Sequence, residues 1–142
     1  MPTKQELKVI SLLRSNPVLR VDEISQKAGI ASEDVSLIIE RLQSNNVLKQ
    51  HVLLVDFDKL GYKARVFFLI WTTDNRTEEF LSNHPSINTL YRLKEMPEYI
   101  AEGIFKNNKE LNSFINEVNT IGTVEHAYLI QATLKKEEFL MV

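Results

Sequence analysis

The segment GIASEDVSLIIERLQSNNVLKQ, residues 29–50, combines hydroxyl, amide, aliphatic and basic side chains that together suit a nucleic acid. Serine and glutamine can exchange hydrogen bonds with base edges or phosphates, leucine can contact thymine methyl groups, and lysine and arginine attract phosphates. The DNA-contacting residues predicted on this basis are Ser32, Glu33, Ser36, Leu37, Arg41, Gln43, Lys27 and Lys49.

Helical periodicity decides which of these side chains face outward. At 100° per residue, Leu37 lies about 200° from Val35 of the apolar stripe, so we expect Leu37 on the open side. There it would contact thymine methyl groups, while Ser36 and Gln43 would bond base edges or phosphates. The alternative is that this helix serves only the fold or a contact with another protein.

Two acidic residues open the same helix. Glu33 and Asp34 suit the positive end of the helix dipole, but they would also repel phosphates. Glu33 can accept a hydrogen bond from a cytosine amino group. Residues 1–50 contain seven Lys/Arg and six Asp/Glu, whereas residues 51–142 contain ten and thirteen. The chain is therefore not a broadly basic nucleic-acid binder, and its N-terminal part is the better candidate for DNA contact.

Three short helices must position these residues. Thr3 and Glu6 form a capping box that predicts the start of the first helix. Asp22 and Ser32 are predicted to cap the second and third helices, and Gly29 ends the second in a left-handed turn. This order predicts a tri-helical helix-turn-helix. Its predicted core residues are Leu7, Ile10, Leu13, Ile24, Ala28, Val35, Ile38 or Ile39, and Leu42.

From Lys63 onward the hydrophobic pattern repeats as strand, helix, strand, twice over. Two such repeats can interleave into one antiparallel sheet with both helices on one face, the ferredoxin-like β-α-β-β-α-β sandwich. We therefore predict an α+β chain of three parts. They are a helix-turn-helix domain at 1–48, a strand-containing linker at 49–62 and a ferredoxin-like domain at 63–142.

The first predicted strand of that domain is apolar on both sides. Phe67, Leu69 and Trp71 alternate with Phe68 and Ile70, so the helices can cover only one of the two sets. A second copy of the same sheet is the simplest cover for the other set. The pattern predicts a symmetric dimer.

Composition argues against several classes of protein. There is no cysteine, and the three histidines, His51, His84 and His126, lack the spacing of metal ligands. No nucleophile motif, phosphate-binding glycine loop or cofactor motif is present, so we expect neither an enzyme nor a cofactor. No apolar run approaches the ~20 residues of a membrane span, and the polar N-terminus does not resemble a signal peptide. A cytoplasmic protein is expected.

The order of several short motifs resembles the Lrp/AsnC family of transcription regulators. They are ISQKAG at 24–29, the pair Arg41-Leu42, Asn46-Val47-Leu48 in place of the family's Gly-Val-Ile, LGY at 60–62, and Gly122 before the last strand. The resemblance covers nearly the whole chain. It implies dimers formed through the C-terminal sheet, often assembled into octamers, palindromic DNA sites, and amino-acid effectors in many members.

Two positions depart from the family pattern. The family often has basic residues where this chain has Leu37 and Ile38. The resemblance also places an effector site at Glu95, Met96 and Glu98, where the family usually has a glycine and then an aspartate. Glutamate adds bulk and negative charge, and the intervening proline removes a backbone donor. This loop is predicted to disfavour an amino-acid carboxylate. Two interpretations stay open: a solvated acidic loop without a ligand, or a site for a cationic ligand or a basic partner between subunits.

The sequence therefore favours a sequence-specific DNA-binding regulator that binds palindromic operators as a dimer or a larger assembly, with a possible small-molecule effector. Two alternatives remain open. One is an interaction module that forms hetero-oligomers with a paralogous regulator and does not read DNA itself. The other is a stand-alone sensor of a small ligand.

Overall fold

The computed structural model describes residues 1–95 and 98–139, and the chain forms two compact units. The first comprises residues 1–54 together with the C-terminal segment that begins at Leu134. The second spans Val55–Thr133. The predicted division differs in two respects. It assigned the C-terminal segment to the ferredoxin-like domain, and it set residues 49–62 apart as a linker, whereas the boundary between the two units falls within that stretch. In the structure the C-terminal segment contacts the first helix, where Arg14 Nε donates to the Phe139 carbonyl oxygen at 2.7 Å.

Three helices form the first unit: α1 (Lys4–Ser15), α2 (Val21–Ala28) and α3 (Ser32–Ser44). The predicted capping box of α1 is confirmed. The Glu6 backbone N–H donates to Thr3 Oγ1 at 3.2 Å, and the Thr3 N–H donates to the Glu6 carboxylate at 2.6 Å. Gly29 ends α2 with φ +69°, the left-handed conformation that glycine adopts at least cost, which is as predicted.

The predicted caps of α2 and α3 are wrong. Helix α2 starts after Arg20, whose backbone N–H donates to the Glu23 carboxylate at 2.7 Å, so Asp22 lies inside the helix. Ser32 is already the first helical residue of α3, and Ala31 precedes it without a side-chain cap. Helix α2 therefore begins two residues earlier than predicted, and α3 begins one residue earlier. Residue types near the start of a helix define its first residue only to within one or two positions.

The core of this unit joins all three helices. It consists of Val9, Ile10, Ile24, Ala28, Ile30, Val35, Ile38 and Leu42. The stripe predicted on α3 is confirmed, with Ile38 rather than Ile39 as its fully buried member. Helix α1 differs from the prediction, because Val9 is fully buried while Leu7 and Leu13 are only half-buried. The buried side of α1 is thus centred one residue from the predicted stripe.

The second unit has the predicted ferredoxin-like order. Its elements are β1 (Ala64–Trp71), α4 (Arg76–Asn83), β2 (Ile87–Arg92), β3 (Glu98–Phe105), α5 (Asn108–Val118) and β4 (Thr123–Leu129). The sheet order is β2-β3-β1-β4, and each neighbouring pair is antiparallel. This topology follows from the two interleaved β-α-β repeats.

One face of the sheet packs on α4 and α5. Phe68 of β1 lies at the centre of this core, with its ring centroid 5.0 Å from that of Phe114 and 6.1 Å from that of Phe105. Gly103 of β3 passes directly beneath these rings. A Cβ atom there would come within 2.6 Å of the Phe105 ring and 2.9 Å of the Phe68 ring, so the packing requires glycine.

The opposite face of the sheet is apolar at its centre. Phe67 is 38% exposed and pairs in register with Tyr128 of β4, which is 56% exposed. Leu69, the next residue of β1 on this face, pairs with Ile100 of β3. These side chains point away from α4 and α5, because neighbouring residues of a strand face opposite sides of the sheet.

The linker does not contain the predicted strand. Residues 49–62 form turns and irregular backbone, and the apolar run Val52–Leu54 is exposed, with Leu53 at 84%. A strand needs a partner for its backbone donors and acceptors, and none of the strands in the described chain pairs with this segment. In the described residues no helix has the length and apolar character needed to cross a membrane.

Candidate nucleic-acid interface

The open face of α3 is the candidate site. Val35, Ile38 and Leu42 turn inward, which leaves Leu37 outside with 63% of its surface exposed. The helical arithmetic that predicted this orientation is confirmed. An exposed leucine in mid-helix contributes nothing to the core of its own unit, so its side chain is available to a partner.

Glu40 belongs to the same face, although the sequence analysis did not select it. Glu33, Leu37, Glu40 and Ser44 are spaced four, three and four residues apart, and all are exposed. That spacing is a helical stripe, so the signal was present in the sequence. Within the described chain, neither the Glu33 nor the Glu40 carboxylate has a side-chain partner, which leaves both as free hydrogen-bond acceptors.

The other predicted DNA-contacting residues also lie on the surface of this unit. Ser32, Ser36 and Gln43 are exposed on α3. Lys27 lies in the last turn of α2, and Lys49 follows α3 outside any helix. Neither lysine forms an ion pair within the described residues, so both ammonium groups are free to meet a phosphate.

Arg41 is held by a carboxylate of another helix. Its Nη2 lies 2.9 Å from Glu6 Oε1, and the Glu6 side chain is only 10% exposed. Hydrogen bonding from the Thr3 backbone, with a smaller contribution from Arg41, lowers the pKa of Glu6 against the opposing effect of burial. Glu6 therefore remains ionised and joins the start of α1 to the last turn of α3.

Two of the three predicted effector residues, Glu95 and Glu98, lie between β2 and the start of β3. Glu95 is exposed, and Glu98 is the half-buried first residue of β3, in register with Trp71 of β1. Met96, the third predicted effector residue, lies outside the described residues, as does Pro97. An open hollow of about 430 Å³ in the same unit is lined by different residues, namely Arg76, Glu79, Phe80, Asn83, His84 and Pro85.

A side-chain network beside the segment between β2 and β3 escaped the sequence analysis. Glu78 of α4 accepts hydrogen bonds from the Arg92 guanidinium, whose Nε lies at 2.8 Å, and from the Tyr99 hydroxyl, also at 2.8 Å. These bonds lower the pKa of Glu78. The three residues tie α4 to the β2-β3 hairpin.

The sequence of the chain is similar to sequences of known transcription regulators. No family model matches the chain. The HTH-type transcriptional regulator FL11 of Pyrococcus horikoshii is 27% identical over 134 residues, covering 91% of this chain and 89% of FL11. FL11 of Pyrococcus furiosus is 29% identical over 121 residues, covering 83% of this chain and 80% of that protein.

Solved structures share the whole fold. LrpC of Bacillus subtilis superposes with a TM-score of 0.85 at 20% identity, covering 95% of this chain and 98% of LrpC. An AsnC family transcriptional regulator from Agrobacterium tumefaciens gives 0.81 at 18% identity, covering 99% and 97%. A regulator from Neisseria meningitidis in complex with L-Met gives 0.81 at 13% identity, covering 96% and 94%.

Similarity to transcription regulators extends along most of the chain, and both units are arranged in the order found in LrpC. In sequence and in fold the chain is similar to transcription regulators of the Lrp/AsnC type. The relatives that it matches in sequence are transcription regulators. In the described residues no group of three or more His, Asp or Glu side chains is placed to hold a metal ion.

Proposed function

We propose that this protein is a transcription regulator of the Lrp/AsnC type that binds specific duplex DNA sites through α3. The observation that carries the proposal is the outward face of α3 in a helix-turn-helix, where an exposed leucine lies among exposed polar side chains that include Ser36 and Gln43. Leu37 would contact thymine methyl groups, and Ser36 and Gln43 would bond base edges or phosphates. Lys27, Lys49 and Arg41 would contact phosphates.

The small number of basic residues on this surface limits the affinity of one subunit for DNA. Two or three cations per subunit provide about four to six phosphate contacts in a dimer, and each steepens the log–log salt dependence by about 0.9. Such binding is adequate at low salt and marginal at physiological salt. We therefore propose that a dimer, or an octamer built from dimers, binds both half-sites of a palindrome. Binding of one helix-turn-helix domain then raises the effective concentration of the second at its half-site to about millimolar.

The apolar face of the sheet supports this assembly. Phe67, Leu69 and Tyr128 would be covered if two sheets packed face to face about a twofold axis. A twofold dimer presents two α3 helices to two inverted half-sites, which is why a palindromic operator is proposed. The first unit is thus proposed as the DNA-binding domain and the second as the assembly domain.

A small-molecule effector is proposed at the β2-β3 turn. The Neisseria meningitidis regulator, with the same fold, was solved in complex with L-Met. Glu95 and Glu98 give this turn of the present chain two carboxylates, so a cationic amino acid or another basic metabolite suits it better than an anionic one. A thermal-shift panel of amino acids and basic metabolites tests the proposal, and the absence of any shift with cationic members contradicts it.

Gel-shift titration tests the DNA-binding proposal. Randomised duplexes should be enriched on the full-length protein at low salt, and the enriched duplexes then titrated at low and physiological salt. We expect an inverted-repeat sequence that is shifted at both, with a strong dependence on protein concentration at the higher salt. Failure to shift any duplex at low salt, with protein shown to be assembled, contradicts the proposal.

A second candidate function rests on the acidic side of the same stripe. The unpartnered carboxylates of Glu33 and Glu40 flank Leu37, which suits a basic, partly apolar protein surface such as that of a more basic paralogous regulator. In this role the protein would form hetero-oligomers and tune its partner. Native mass measurement after co-expression with such a paralogue distinguishes the two functions, because mixed assemblies without DNA binding favour the second.

A further inference from the structure

The only lysine or arginine within α3 is held by a buried carboxylate of α1. Glu6 Oε1 lies 2.9 Å from Arg41 Nη2, and its other oxygen, Oε2, accepts the Thr3 N–H at 2.6 Å. Glu6 is one of few charged residues buried in the described chain. A buried carboxylate is costly unless it is fully bonded, and here both of its oxygens are bonded.

Arg41 nevertheless remains open to solvent. Its side chain is 57% exposed, and its contact with Glu6 at 2.9 Å is made by Nη2. Because a guanidinium has five N–H donors in a rigid planar fork, most of these donors stay available to a second acceptor. The bond to Glu6 fixes the direction in which that fork points.

We propose that Glu6 is a positioning residue for DNA recognition, which orients the Arg41 guanidinium so that its free donors meet a backbone phosphate. The inference rests on the proposed function of α3. A long side chain that is ordered before binding loses less entropy when it meets the phosphate, and ordering one rotamer-rich side chain is worth about a two- to tenfold change in affinity. Glu6 itself does not touch the DNA.

Charge and positioning make opposite predictions for Glu6. If the carboxylate acted only through its charge, its removal would strengthen DNA binding, because a negative group near the phosphates would be gone. If it acts by orienting Arg41, its removal weakens binding although the protein becomes more positive. The sign of the change therefore separates the two mechanisms.

Glu6→Gln is a suitable variant because glutamine at the same position preserves the capping box with Thr3. Glu23→Gln is the matched control: Glu23 caps α2 through the Arg20 N–H, it carries the same charge, and it has no contact with Arg41. Affinity for the enriched duplex should be measured by fluorescence anisotropy for the wild type, Glu6→Gln, Arg41→Ala and the double variant. Thermal melting of each confirms that it is folded.

For each bound subunit, we expect Arg41→Ala to weaken binding about tenfold and to flatten the log–log salt slope by about 0.9, because one phosphate contact is lost. Glu6→Gln should weaken binding about two- to tenfold, while Glu23→Gln leaves it unchanged or slightly tighter. In the Arg41→Ala background, Glu6→Gln should have no further effect, because the residue that it positions is gone.

Equal losses from Glu6→Gln with and without Arg41 would overturn the positioning role, as would tighter binding by Glu6→Gln. In both cases the wild type still binds DNA, so the proposed function survives. If the wild type binds no duplex at low salt, the proposed function fails and the positioning role fails with it. If Glu6→Gln does not fold, Arg41→Lys replaces it. That variant keeps the charge but loses the fork, and affinity equal to that of the wild type would overturn the proposal.

Discussion

At the scale of single residues, function in this chain depends on side chains that do not serve the core. Leu37 is the clearest of them, because every other aliphatic residue of α3 is buried or half-buried in the first unit. Loss of Leu37 should therefore cost little stability, while it should change what α3 recognises. A buried leucine shows the opposite behaviour, since its truncation costs about 2–5 kcal/mol.

Leu37→Ala should remove discrimination between thymine and uracil in the operator. The wild type should bind an enriched duplex more tightly than its uracil counterpart, by a few-fold per methyl contact, because burying one methyl group contributes about 0.8 kcal/mol. The Leu37→Ala protein should bind both duplexes equally. Anisotropy titrations with the two duplexes measure this, and Val18→Ala, which truncates an exposed valine outside the helices, is the control. Equal preference for thymine in wild type and variant would contradict the contact.

Asp74 gives a pH-dependent prediction for the second unit. Hydrogen bonds from the Arg76 side chain and backbone lower the pKa of Asp74 from 3.8 to about 2. The folded-state pKa is lower than the unfolded one, so the stabilisation is fully present above about pH 4 and is lost as the pH falls through about 2. Asp74→Asn should be less stable than the wild type near neutral pH, and most of the difference should be lost by about pH 2.

The fluorescence of Trp71, the single tryptophan, reports urea unfolding of this unit at each pH. Asp58→Asn is the matched control, because the Asp58 side chain forms no hydrogen bond or ion pair in the described chain. A difference between wild type and Asp74→Asn that stays constant from pH 6 to pH 2 would show that the Arg76 contact does not stabilise the fold.

At the scale of elements, β3 allows the core of the second unit to pack closely, because its small residues leave room for aromatic rings. Ala101 is fully buried, and Gly103 leaves room for Phe68 and Phe105. Large and small side chains on facing elements thus interdigitate, as close packing requires. A methyl group is already too large at position 103, although Gly103 has an ordinary strand conformation.

Gly103→Ala should destabilise the second unit by about 1–3 kcal/mol, because the new methyl group overlaps two buried rings, which must shift to admit it. Urea unfolding followed by Trp71 fluorescence measures the change. Ala127→Gly, on the exposed strand β4, provides a control for altered strand propensity without a clash. A Gly103→Ala protein as stable as the wild type would mean that the rings adjust at little cost.

At the scale of the whole molecule, the two units differ in whether their apolar surfaces are covered within the chain. The first has a complete core of its own, whereas the second exposes an apolar sheet face around Phe67, Leu69 and Tyr128. Contiguous apolar area of this kind marks an interface in soluble proteins. The proposed DNA binding depends on this face, because helix-turn-helix domains with few basic residues need to bind DNA in pairs.

Phe67→Lys should convert the proposed dimer into a folded monomer, because two buried ammonium groups would meet near the twofold axis. Sedimentation velocity at micromolar protein measures the state of assembly, and the same protein should lose binding to the enriched duplex at physiological salt. Asn112→Lys adds the same charge on the exposed side of α5 and should leave both properties unchanged. Monomeric wild-type protein at micromolar concentration would contradict the assembly.

Periodicity along the chain determined a large part of the architecture. The outward position of Leu37, the buried stripe of α3, the end of α2 at Gly29 and the β-α-β-β-α-β order were all predicted from local spacing. These features are predictable because a helix or strand repeats at a fixed angle, so the identities of neighbouring residues decide which side is buried. Glu40 was omitted although the same arithmetic includes it.

Only the tertiary structure decided which distant side chains meet. Arg41 with Glu6, and Glu78 with Arg92 and Tyr99, join residues on different elements, and no local spacing indicates such pairs. The linker likewise has strand-like composition but no strand, because β structure requires a partner that composition does not supply. Local propensity therefore gave the elements and their buried sides, while the packing of one element on another placed the charges on which recognition depends.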